Sequence, residues 1–143
     1  MTAKEYLSEI GNLRRRADVI RKRIADLNED MTTIGAIEYD RDRVQTSPTN
    51  RQEDKVIKIV DIKTQYEDEL AQCYELEKEI IERINKLSKQ IYVDILIRRF
   101  VELKPNNQMH TLGWIADEMG YSEDWIKHQY GLALTEFEGL WLN

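Results

Sequence analysis

Residues 6–34 read YLSEIGNLRRRADVIRKRIADLNEDMTTI, and their spacing decides the fold. Tyr6, Ile10, Leu13, Ala17, Ile20, Ile24, Leu27, Met31 and Ile34 follow one another at steps of four and three without a miss. Such a heptad lays one apolar stripe along a single helix face. Thr2 or Ser8 is a candidate cap for the early turns. Gly11 is a weak point, costing about 1 kcal/mol relative to Ala in a helix interior. The pattern predicts a long helix that fades near Gly35.

Residues 35–50, GAIEYDRDRVQTSPTN, break the period. Ser47-Pro48-Thr49-Asn50 is a turn signal, because Pro48 disfavours helical geometry at Ser47. Asn50 with Glu53, or Thr49 with Gln52, reads as a capping box for the next helix. A second heptad run starts in residues 51–60 and becomes regular from Tyr66 through Leu70, Cys73, Ile80, Ile84, Leu87 and Ile91. Glu77 interrupts it, and Leu76 beside it is expected to cover part of the gap. Two matching seams and a short joint predict an antiparallel helical hairpin over 1–88, a coiled coil. Pairing of each seam with a second chain, as in a homodimer, fits the same pattern.

Composition agrees. Of 143 residues, 34% are charged and 41% hydrophobic, with only six Gly and two Pro. This is the composition of long helices. The net charge of -6 leaves no global basic field of the kind that marks nucleic-acid binders. Cys73 is the single cysteine, which excludes an intrachain disulfide or a cysteine-rich metal site. The polar start of the chain does not read as a signal peptide, and no apolar run reaches bilayer length. The expected location is the cytoplasm.

After Ser88 the apolar face shortens and broadens, through Tyr92, Ile95, Leu96, Phe100 and Leu103. Lys104-Pro105-Asn106-Asn107 reads as a loop, residues 111–119 as a short helix, and 123–142 as a last helix capped by Ser122. Leu112, Ile115, Ala116 and Met119 line one face of the short helix, and Ala116 is small where a second helix must cross. Gly120 sits where the chain leaves that helix and needs a positive φ. Ile126, Ala133, Leu134 and Phe137 return to the core. Small residue, Gly and aliphatic at spacings of four and six meet the steric needs of a helix-turn-helix. The fold class is therefore all-α, a long helical hairpin followed by a helix-turn-helix bundle over 89–143.

Residues 115–137, IADEMGYSEDWIKHQYGLALTEF, resemble the fourth region of bacterial sigma factors without a gap. Ile95-Leu96-Ile97-Arg98-Arg99-Phe100 fits the helix that precedes that motif. With the RVQTSPTN segment between two long helices, the whole chain resembles small phage and prophage sigma-like transcriptional regulators of Gram-positive bacteria. That family is related to the ArpU and RinA late-gene activators. The resemblance implies promoter DNA and host RNA polymerase as partners, with the helix after Ser122 entering a major groove. Ser122, Trp125, Lys127, His128 and Gln129 are the residues it places at DNA.

The local chemistry departs from that pattern. Glu123, Trp125, Leu132 and Thr135 stand where sigma-like motifs usually carry Arg or Lys. From Lys104 onward two basic side chains face six acidic ones, a local charge of -4. Phosphate neutralisation dominates DNA affinity, so few free cations mean weak independent binding. An acidic helix start also repels the phosphates its amides would attract. Basic density lies instead at Arg14, Arg15, Arg16, Arg21, Lys22 and Arg23, six cations in ten residues. They read either as a flank paired with Glu67, Asp68, Glu69, Glu75, Glu77, Glu79 and Glu82, or as a strip for nucleic acid or an acidic protein.

His110 and His128 lack companions at ligand spacing, so neither a metal nor a cofactor is expected. Trp114, Trp125 and Trp141 are partner anchors or core of a small head, with Trp125 the one that should point partly outward. No nucleophile–base pair, phosphate loop or catalytic carboxylate pair is recognisable, and an enzyme is not expected. The sequence thus carries two functional readings, a phage transcriptional regulator and a protein-interaction module that binds a protein through its acidic head. A purely structural coiled coil is the third and leaves the head unexplained.

Overall fold

A computed structural model of the chain describes residues 1–41 and 49–143, with side chains for 1–33 and 52–143. Every regular element among the described residues is helical. Helix α1 spans Ala3–Arg41, α2 Thr49–Ile84, α3 Gln90–Leu96, α4 Leu112–Met119 and α5 Glu123–Trp141, and a π-helical turn, Ile97–Val101, follows α3.

Helix α1 does not fade at Gly35 but continues to Arg41. One glycine costs a helix only about 1 kcal/mol, less than two further helical turns can offset. Of the 35–50 segment, residues up to Arg41 belong to α1 and those from Thr49 to α2. The Ser47-Pro48 turn and the caps at Thr49 and Asn50 lie outside the described residues and side chains.

Packing groups the chain into two compact units, Met1–Arg15 with Tyr74–Asn143, and Arg16–Cys73. In the first unit, Ala3, Leu7 and Ile10 of α1 and Ile80 and Ile84 of α2 share a core with Tyr92, Val93, Leu96, Phe100, Ala133 and Phe137. Full burial of each large side chain here stabilises by about 1.5–3 kcal/mol. Ala3 and Leu7 lie beside the heptad seam, on the stripe that faces these additional helices. The Tyr6 ring lies 5.7 Å from that of Phe137, and its hydroxyl accepts a hydrogen bond from Arg83 Nη1 at 2.9 Å.

The expected cover of the Glu77 gap is different. Leu76 is 50% exposed, while Glu77 turns inward and accepts from Arg14 Nη2 at 2.7 Å and Nε at 3.1 Å. Arg14 also donates to the Val101 carbonyl. A guanidinium fork thus makes a carboxylate tolerable at a seam position. The seam spacing runs on through Leu87 and Ile91, but the helix does not. Helix α2 ends at Ile84, and the Ser88 amide donates to the Glu136 carboxylate at 3.2 Å.

In the second unit, Ala17, Ile20 and Cys73 are buried, while Ile24, Leu27, Met31, Tyr66 and Leu70 are half-buried. Val56, Ile59 and Lys63 are half-buried at the same four-three steps. The seam is therefore regular earlier than Tyr66, with the aliphatic stem of Lys63 filling one position. Arg16 Nε donates to Glu69 at 2.8 Å.

Candidate nucleic-acid interface

The segment α4–turn–α5 is built by local rules. Thr111 Oγ1 accepts from the Trp114 amide at 3.1 Å and opens α4. Gly120, at φ 75, closes it, with the Tyr121 amide donating back to the Ala116 carbonyl at 3.0 Å. A side chain there would suffer the left-handed penalty that glycine avoids. Ser122 then accepts from the Trp125 amide at 3.3 Å and starts α5. The crossing is closed by Ile95, Ile115, Ala116 and Ile126, a small cluster of buried side chains. Ile126 is fully buried, which turns the flanking residues of α5 outward.

The candidate DNA-facing residues divide as follows. Ser122 Oγ is engaged in the cap. Trp125 is 38% exposed and lies 4.4 Å from the Tyr121 ring in a tilted pair. Lys127 Nζ is ion-paired with Glu123 Oε1 at 3.2 Å, so its charge is partly neutralised. His128 is exposed and Gln129 half-buried. Glu123 and Asp124 occupy the first turn of α5, where they satisfy the positive end of the helix dipole that a phosphate would otherwise use. Glu123 also lies against α4, where a side chain in place of Gly113 would begin 3.4 Å from its carboxyl group.

The six cations of the strip divide between the two units. Arg14 and Arg15 belong to the first unit, and Arg16, Arg21, Lys22 and Arg23 to the second. Arg14 and Arg16 pair with Glu77 and Glu69 of α2. Arg15 donates to Asn12 Oδ1 at 2.6 Å and to the Asn107 carbonyl at 3.3 Å, and Arg21 pairs with Asp18 one turn earlier. Lys22 and Arg23 are exposed.

The remaining tryptophans have partners of their own. Trp114 stacks on His110, with ring centroids 3.7 Å apart and planes 13° from parallel. Trp141 Nε1 donates to the Arg83 carbonyl at 3.2 Å, and the Arg83 guanidinium sits 5.2 Å from its ring centroid. Sequence spacing shows none of these pairings, because His110 and Tyr121 lie outside any helical period. Among the described residues no cluster of three His, Cys, Asp or Glu side chains is placed to hold a metal ion, and no helix is long and apolar enough to cross a membrane.

Comparison with known proteins finds no matching family, curated relative or solved structure.

Proposed function

We propose that the chain is a transcriptional regulator of the small phage sigma-like kind, acting in the cytoplasm of a bacterial host. In this reading α4, the Gly120 turn and α5 are a helix-turn-helix, and α1 and α2 are an antiparallel hairpin that serves as its arm. The observation that carries it is the joint presence of the left-handed Gly120, the Ser122 cap and the Ile115–Ala116–Ile126 crossing. The ion pairs Arg14–Glu77 and Arg16–Glu69 support the hairpin, each within its own unit.

The electrostatics favour an assisted mode. With Lys127 paired and two carboxylates at the start of α5, the head supplies few phosphate contacts, so promoter binding draws on host RNA polymerase. Gel-shift titration against phage late-promoter DNA, with and without polymerase, tests this. A shift that needs polymerase and depends weakly on salt is the expected result, and no shift in either condition rejects the proposal.

One observation favours a second reading, in which the head binds a protein alone. Trp125 and Tyr121 form an exposed aromatic pair beside an acidic helix start, the chemistry of a protein hot spot. Trp125→Ala and Glu123→Arg separate the two. If Glu123→Arg strengthens DNA binding and leaves any protein partner bound, the second reading fails.

A further inference from the structure

Three departures from local preference meet at one place in the first unit. Gly11 sits in the middle of α1, α3 opens into the π-helical turn Ile97–Val101, and Asn107 holds a positive φ of 63°. Each carries some conformational cost, and π turns recur at functional sites. Gly11, Arg99 and Asn107 all line a half-open recess of about 430 Å³. That volume is within the range of small-molecule sites.

Glycine at 11 is not required by packing. A Cβ there would meet the Arg15 guanidinium and the Asn107 carbonyl at 3.5 Å, ordinary contact distances. What the missing side chain leaves is room for those two groups to line the recess, which a longer side chain would crowd. The cost to the helix is thus spent on a cavity, which packing alone would favour filling.

The lining has one charge sign. Arg15 and Arg99 contribute guanidinium groups, and no lining residue is acidic, in a chain with 27 carboxylates. Of five N–H donors, Arg15 uses two, on Asn12 and Asn107. Arg99 donates Nη1 to the His110 carbonyl, and its buried Nε has no hydrogen-bond partner among the described residues. Leu103 and Met109, both half-buried, form an apolar part of the wall, with Phe100 buried behind it. Planar guanidinium forks match a carboxylate, and the apolar wall calls for a hydrophobic body attached to it.

The geometry points to a binding site for a small organic carboxylate with a compact apolar body, held by Arg15 and Arg99 against Leu103 and Met109. The site does not rest on the regulatory reading. It does reach the head by a short path, since Arg99 holds the carbonyl of His110, whose ring stacks on Trp114 of α4.

Titration of the full ¹⁵N-labelled chain with 2-naphthoate, followed by amide NMR, tests the site. Neutral 2-naphthamide supplies the body without the charge, and inorganic phosphate the charge without the body. Saturable shifts centred on Gly11, Asn107 and Met109 are expected with 2-naphthoate, with both controls at least tenfold weaker. Arg15→Gln should weaken binding about tenfold, the loss of a charge-assisted hydrogen bond. Gly11→Leu should remove binding while circular dichroism still reports a helical chain. Arg99→Gln also removes the tie to His110, so the test rests on the other two variants. No saturable shift, shifts centred elsewhere, naphthamide binding as tightly as naphthoate, or indifference to Arg15→Gln would each overturn the site.

Discussion

The same two helices build both compact units, and they fare differently in each. Among the described residues between Arg16 and Cys73, Ala17, Ile20 and Cys73 are the buried ones, and Val19, Ile57, Val60 and Ile62 stand exposed. In the unit of Met1–Arg15 and Tyr74–Asn143, the same heptad pattern leaves Ile10 and Ile84 with no exposed surface, and Leu7 beside it is as fully buried. A pair of helices covers each seam from one side only. Where α3 and α5 add further layers, half-buried positions become core. The same periodicity therefore gives unequal burial, and the number of neighbouring elements decides which unit has the fuller core.

The sharpest way to break this comparison is to remove its largest shared side chain. Phe137→Ala should cost about 3–5 kcal/mol, read by urea unfolding. Native-state amide exchange should show the first unit falling to the protection of Arg16–Cys73. Leu27→Ala, half-buried in the second unit, should cost less than half as much. Equal losses would mean that the added layers contribute nothing.

The ion pairs sharpen it next. The Arg14 and Glu77 side chains are 27% and 19% exposed, against 50% and 38% for Arg16 and Glu69. Glu77→Ala leaves a half-buried guanidinium without its partner and should cost about 1–3 kcal/mol. Glu69→Ala should cost under about 1 kcal/mol, and less still in high salt. Ser122→Ala should lower stability by about 1 kcal/mol through loss of the α5 cap, detectable as a lower Tm.

The smallest effect is a pH dependence confined to the first unit. Burial pushes the Tyr6 phenol above its ordinary value of 10.0, and Glu79 adds to the rise, against the pull of the Arg83 cation and hydrogen bond. The unfolded chain then loses this proton first. The contribution is complete below about pH 10 and declines as pH climbs through the raised value. Tyr6→Phe should flatten that alkaline limb in melts taken across it, and an unchanged limb would remove Tyr6 as its source.

Much of the helical content was legible because periodicity reports it directly. Ile10, Ala17, Ile20, Cys73, Ile80, Ile84 and Leu87 are buried where the spacing puts them. Gly120 and Ser122 were legible for another reason, since only a few residue types suit a left-handed turn or a cap. What the spacing concealed depends on partners distant in sequence. Leu7 is core because Phe137 and its neighbours reach it, and Glu77 replaces Leu76 at the seam because Arg14 is opposite. The π turn at Ile97–Val101 carries no composition signal. Of the recess, only Gly11 left a trace, as a glycine where a helix would prefer alanine.

The closeness of Tyr6 to Phe137 also imposes an order in time. Synthesis runs from α1 toward α5, so the opening turns of α1 emerge before the helices they pack against. Arg16–Cys73 can zip together while synthesis continues, because both of its strips are already out. The core around Leu7 and Ile10 is complete only once α5 has left the exit tunnel, because Ala133 and Phe137 belong to it. Through that interval Leu7 and Ile10 have only part of their cover, and the unit with the larger core is the last to close.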